Sequence, residues 1–228
     1  MTETTAPPCI VFDLDGTLVD TAPDLAEAMN AVLTHFGRPR VDVDAVRDMV
    51  GHGARRTIEK GLALTGGGNA DMIEAGLPLF LDHYAANICV HSRPWDGVEA
   101  VLDELAPQAT LAICTNKPER LAVDLVGALG WSARFGALIG GDTLKVKKPD
   151  PGHLHETIVR AGGDPARSAF IGDSSADADA AAAAGIPFVL IGFGYLDRPR
   201  EALPADRTIE RFSDLPPALR AVAPAIWS

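Results

Sequence analysis

Asp13 and Asp15 stand in the run Asp13-Leu14-Asp15-Gly16-Thr17-Leu18-Val19-Asp20, directly behind the apolar segment Cys9-Ile10-Val11-Phe12. Two carboxylates this close, where a buried strand is ending, repel each other. The pattern therefore predicts a bound cation or a raised pKa on one of them. Gly16 permits a turn that brings backbone close to a ligand. Taken alone, the run fits a polar turn with an Asx cap equally well. A second acidic segment, Gly172-Asp173-Ser174-Ser175-Ala176-Asp177, also follows a short apolar run and opens a helical pattern. Asp173 at that strand end would complete a hard, oxygen-rich site with Asp13, and Mg²⁺ is the metal that prefers few carboxylates and several waters. Asp177, four residues on, would hold a metal-bound water from behind. A helix N-terminus carrying dipole-matched acids accounts for the same residues.

Two further segments suit an anion. Thr115-Asn116 ends the run Leu111 to Cys114, and Lys148 stands before Pro149 in Lys145-Val146-Lys147-Lys148-Pro149-Asp150-Pro151. A hydroxyl and the amides of a helix start match phosphate oxygens, and an ammonium supplies a point charge against developing negative charge. Each has a plainer use: Thr115 as a cap on the helix entered at Pro118, Lys148 as part of a solvated loop.

These residues need elements that bring them together. Cys9–Phe12, 111–114, 137–139, 169–171 and 188–191 are short continuous apolar runs with polar ends, as expected of parallel strands buried on both faces. Helical spacings lie between them, at Val98, Val101, Leu102 and Leu105, at Leu121, Leu125 and Leu129, and at Leu154, Ile158 and Val159. This alternation predicts an α/β fold, a Rossmann-like open parallel sheet whose ligands sit beyond the carboxyl ends of its strands. Residues 20–90 break the alternation. Leu25, Ala28, Met29, Val32, Leu33 and Phe36 follow a helical period behind a Thr21/Asp24 capping box, with weaker helical patterns at 45–50, 55–64 and 72–88. The expectation is a core of residues 1–19 and 91–228 with an inserted small α-helical cap at 20–90, hinged near Val19-Asp20 and His91 to Pro94. At ~150 residues per domain, a chain of 228 residues has room for about one and a half domains, which agrees.

Composition narrows the partners. The balance of 20 basic against 31 acidic side chains gives a net charge of −11, which disfavours nucleic acid and acidic membranes through long-range repulsion but leaves room for one local anion site. Cys9, Cys89 and Cys114 lack the number and spacing of a disulfide framework or a cysteine zinc site, which points to a reducing, cytoplasmic setting. The first ten residues, MTETTAPPCI, lack the pattern of a cleaved signal. Ala180 to Leu196, free of charge but broken by Gly185, Pro187, Gly192 and Gly194, reads as a helix end and a buried strand rather than a membrane span.

In their order, DLDGT, a Thr behind an apolar strand, Lys-Pro and GDSxxD resemble the haloacid dehalogenase superfamily of phosphohydrolases. The resemblance extends from Cys9 to about Gly192. It implies Asp13 as nucleophile, Asp15 as general acid/base, and Thr115, Asn116 and Lys148 as phosphate-binding residues. It further implies Mg²⁺ held by Asp13, the Asp15 carbonyl and Asp173, with Asp177 in support. The reaction would pass through an aspartyl-phosphate on Asp13. The segment Val50-Gly51-His52-Gly53-Ala54-Arg55 and the run Gly140-Gly141-Asp142-Thr143-Leu144 resemble those of phosphoglycolate phosphatases within the superfamily. On that resemblance 2-phosphoglycolate is the expected substrate, and Gly51, His52, Gly53 and Arg55 are candidate specificity residues, with amides or Arg55 set against a carboxylate. A glycine-capped helix start with a solvated Arg55 is the plainer reading. Asp15 argues against a haloacid dehalogenase and against a phosphonate hydrolase. A β-phosphoglucomutase-like or pyrophosphatase-like enzyme shares every core motif, and a non-catalytic binder of phosphorylated metabolites on the same fold is the alternative of another class. The implied partner is a small phosphorylated metabolite; oligomeric state is not legible.

Overall fold

The computed structural model describes residues 6–51 and 53–227. The chain opens with β1 (Cys9–Phe12), turns into the short strand β2 (Val19–Asp20) and runs through the helices α1 (Ala22–His35), α2 (Val43–Arg47), α3 (Ala54–Leu64) and α4 (Ala70–Ala86). It returns through β3 (Arg93–Pro94) and then alternates α5 (Val98–Leu105), β4 (Thr110–Cys114), α6 (Glu119–Ala128), β5 (Ala137–Ile139), α7 (Pro151–Arg160), β6 (Ser168–Gly172), α8 (Ser175–Ala184) and β7 (Phe188–Ile191). Beyond the last apolar run lie β8 (Arg207–Ile209) and α9 (Leu215–Val222), which the sequence patterns did not announce.

One six-stranded sheet, ordered β5-β4-β1-β6-β7-β8, carries the fold. Each neighbouring pair in it is parallel. All of β1 is buried, because helices cover both faces, and its residues are accordingly apolar without alternation. Strands β4 and β5 lie to one side of β1 and β6, β7 and β8 to the other. A switch of direction of this kind leaves a crevice at the carboxyl end of the central strands, which is where an open α/β sheet binds ligands.

Helices α1 to α4 share an apolar cluster built on Met29, Val32, Ile58, Leu62, Phe80 and Tyr84, to which Leu121 of α6 and Tyr195 also belong. Gly76 allows α4 to lie close, since a Cβ there would stand 2.9 Å from Val32 Cγ1. Strands β2 and β3 pair antiparallel, Val19 with Pro94 and Asp20 with Arg93, where the chain enters and leaves the helices. The capping box expected at α1 does not form: Thr21 offers the helix no side-chain bond. Asp24 instead accepts the amides of His91 and Ser92 and the Ser92 hydroxyl at 2.6–3.0 Å. The returning chain presents three donors to this buried carboxylate, more than the helix start could offer it. Among the described residues no helix is long and apolar enough to cross a membrane.

Candidate active site

The Asp13 amide donates to Ile171 O at 2.9 Å, continuing the β1–β6 ladder one residue past β1. Its carboxylate is thereby fixed at the floor of the crevice. Oδ1 accepts from the Leu14 amide at 2.7 Å and from Lys148 Nζ at 2.9 Å. The turn that follows depends on Gly16, whose φ is +81° and whose absent Cβ would collide with Asp173 Oδ2 and the Tyr195 ring. A side chain there would displace the acidic cluster.

Asp173 lies one residue past β6, with Thr17 Oγ1 donating to Oδ1 at 2.6 Å and the Tyr195 amide to Oδ2 at 2.5 Å. Asp177 completes a capping box with Ser174 at the start of α8. Its Oδ2 accepts from Ser174 Oγ at 2.6 Å, while Oδ1 accepts from Lys148 Nζ at the same distance. Asp13, Asp173 and Asp177 are all buried, and each presents an oxygen within 4.8 Å of the others. One ammonium, Lys148, pairs with two of the three, Asp13 and Asp177. Burial, opposed by Lys148 and reinforced by Asp177 and Asp15, pushes the Asp13 carboxyl up to about 6. Burial and then the charges of Asp177 and Asp13 raise Asp173 well above the usual carboxylate range. The Lys148 ammonium keeps its proton because Asp13 and Asp177 outweigh its burial. A cluster with such an excess of buried negative charge and only oxygen donors fits a hard divalent cation.

The phosphate-binding candidates gather around the same point. The Thr115 amide continues the β4–β5 ladder by donating to Ile139 O at 3.0 Å, and its hydroxyl accepts from the Lys117 amide at 3.2 Å. Asn116 Nδ2 donates to Lys148 O at 3.1 Å and to Gly51 O at 3.3 Å, tying the loops of two strands to the helical segment. Its Oδ1 is buried and unpartnered among the described residues. Gly51 and Gly53 both adopt positive φ, and a Cβ on Gly51 would stand 3.5 Å from Ser174 Cβ. The helices are thus closed onto the sheet. Between them lies a cavity of about 40 Å³, lined by Asp13, Asp15, Thr115 and Asn116 from below and by Leu25, Val50, Phe80 and Tyr84 from above.

Asp13, Asp15, Thr115, Asn116, Lys148, Asp173, Asp177, Gly51 and Gly53 therefore converge. Arg55 does not: it pairs with Glu74 of α4 on the exposed outer face of the helices and is absent from the cavity wall. His52 lies outside the described residues. Sequence patterns missed Lys117, whose Nζ donates to Asp15 at 2.9 and 3.1 Å and to Tyr84 Oη at 2.7 Å. They also missed Thr17 and Tyr195, which hold Asp173. The position of Lys117 directly after Thr115-Asn116 was the one available signal.

Residues 7–185 match the haloacid dehalogenase-like hydrolase family. The chain is 44% identical over 211 residues to a phosphoglycolate phosphatase of Caulobacter vibrioides, covering 92% of this chain and 89% of that protein. It is 46% identical to one of Mesorhizobium japonicum, covering 91% and 92%. A crystal structure of a predicted phosphoglycolate phosphatase from Haemophilus somnus 129PT superposes with a TM-score of 0.86 at 29% identity, covering 94% of this chain and 98% of that one. The four motifs, the sheet that aligns them and these similarities agree: the chain belongs to the haloacid dehalogenase-like hydrolases.

Proposed function

We propose that this protein is a Mg²⁺-dependent phosphatase that hydrolyses 2-phosphoglycolate to glycolate and phosphate. The observation that carries the reading is the Asp13 carboxylate, paired with Lys148 behind it, facing a cavity that also receives Asp15. Its substrate rests on the relatives named phosphoglycolate phosphatase at 44% and 46% identity. The helical segment 20–90, which reaches the sheet through Gly51 and Asn116, would act as a cap that excludes water.

Asp13 attacks phosphorus in line, the bond from phosphorus to the ester oxygen breaks, and Asp15 gives its proton to the departing glycolate oxygen. Asp15 then takes a proton from the water that attacks the phosphorus of the aspartyl-phosphate, and the Asp13 carboxylate is released with inorganic phosphate. Lys148, the Thr115 hydroxyl and the Asn116 amide group orient the phosphoryl oxygens. Asp13, the Asp15 carbonyl and Asp173 would hold Mg²⁺, with Asp177 supporting it. Bound there, the ion would supply positive charge that keeps Asp13 ionised and offsets its repulsion of an anionic phosphate. Phosphate release from 2-phosphoglycolate is expected with Mg²⁺ present and not after chelation by EDTA. Undiminished release in EDTA would overturn the reading.

A further inference from the structure

If the substrate is 2-phosphoglycolate, something in the cavity must recognise its carboxylate, and Arg55, which faces Glu74 outside, does not. Among the described residues that line the cavity, Lys117 is the only cation. It is buried, and its charge is engaged by Asp15. In 2-phosphoglycolate a single methylene separates the carboxylate from the ester oxygen. Asp15, as the proton donor to that oxygen, must stand within hydrogen-bond reach of it. A group that reads the carboxylate must therefore neighbour Asp15, as Lys117 does at 2.9 Å.

We infer that Lys117 and Tyr84 form the carboxylate-recognition site, and that the substrate's carboxylate takes the place Asp15 holds on Lys117. The inference rests on the phosphoglycolate reading and assigns the residues that make it selective. Tyr84 reaches down from α4 and accepts a hydrogen bond from Lys117 Nζ through its hydroxyl oxygen, which leaves its own hydroxyl hydrogen available to a carboxylate. Burial, with Asp15 and Asp24 nearby, keeps that phenol protonated. On substrate entry the carboxylate takes hydrogen bonds from Lys117 and Tyr84, and Asp15, released from that ammonium, takes up a proton from solvent and turns to the ester oxygen as its donor. An ester without the carboxylate leaves the Lys117–Asp15 pair intact and Asp15 turned away. Recognition at one end of the substrate thus presents the proton donor at the other. The site also spans both walls of the cavity, because Tyr84 belongs to the helices and Lys117 to the loop after β4.

Ethyl phosphate, which replaces the carboxylate by a methyl group, is the matched probe. The readout is the ratio of kcat/KM for 2-phosphoglycolate to that for ethyl phosphate. Wild type should favour 2-phosphoglycolate strongly; Lys117→Met should lower the ratio about 100-fold and Tyr84→Phe about 10-fold, since a charged hydrogen bond outweighs a neutral one. Lys117→Arg, which restores a cation, should recover most of the ratio. A ratio unchanged in Lys117→Met overturns the inference while leaving the phosphoglycolate reading in place. A wild-type enzyme with no preference overturns that reading itself. If Lys117→Met fails to fold, Tyr84→Phe decides, and an unchanged ratio there likewise overturns the paired site.

Discussion

His153 accepts the Lys148 amide on Nδ1 at 3.3 Å, so Nε2 carries the hydrogen of the neutral ring and donates it to Gly140 O at 3.0 Å. The ring thus holds the chain on which Lys148 is aimed at Asp13. Burial and the Lys148 charge push its pKa down to about 4, against an ordinary value of about 6.5. Between those values the unfolded chain binds a proton that the folded one refuses, so stability falls as pH falls through that window, by up to about 3 kcal/mol. Asp13, raised to about 6, has the opposite slope, because there the folded state binds the extra proton. Subtraction separates the two. Denaturant melts of wild type and His153→Asn at pH 7 and pH 5 should show the variant losing less stability on acidification, and equal losses would remove His153 from this role. None of these pairings was legible residue by residue. Asp13, Asp15 and Asp173 stood out as carboxylates closing apolar runs, but Lys117 meets its partner Asp15 across 102 residues and Arg55 meets Glu74 across 19, which no local pattern records.

At the scale of elements, the strands that carry the site were readable because burial on both faces leaves an unbroken apolar run, as in β1 and β4. Strand β8 was not, since Arg-Thr-Ile at the sheet edge is part exposed and has no pattern to set it apart from a loop. The Thr21/Asp24 motif misled for a related reason. Its spacing fits a cap, yet the carboxylate is claimed by β3's approach from 67 and 68 residues away. The loop after β7 was read only as the end of a strand, but it sends Tyr195 between the acidic cluster and the helices. The Tyr195 hydroxyl donates to Asp20 Oδ1 at 2.5 Å and accepts from the Ala22 amide at 2.8 Å, while the ring meets Trp95 edge-on at 6.5 Å. Tyr195→Phe would leave the Ala22 amide buried without that acceptor, an expected loss of about 1–3 kcal/mol in chemical denaturation. A variant as stable as wild type would show that the hydroxyl contributes nothing there.

Across the whole molecule, the excess of buried negative charge links folding to cation binding. A divalent ion that binds only the folded chain stabilises it by about 2.7 kcal/mol at a hundred times its Kd. For a chain of 228 residues that corresponds to a rise in Tm of roughly 5–10 °C. Thermal melts in Mg²⁺ and in EDTA measure this independently of turnover, and coincident midpoints would argue against a metal on Asp13 and Asp173. The pairing of β2 with β3 has a consequence for how such a chain changes over generations. Because Val19 faces Pro94 and Asp20 faces Arg93, the two ends of the helical insertion leave the sheet side by side, roughly 5 Å apart. Segments of very different length could be spliced between those points without moving Asp13, Asp15 or the strands beneath them. The junction is a standing socket, through which the sheet and its acidic floor can be inherited unchanged while the helices above them are exchanged.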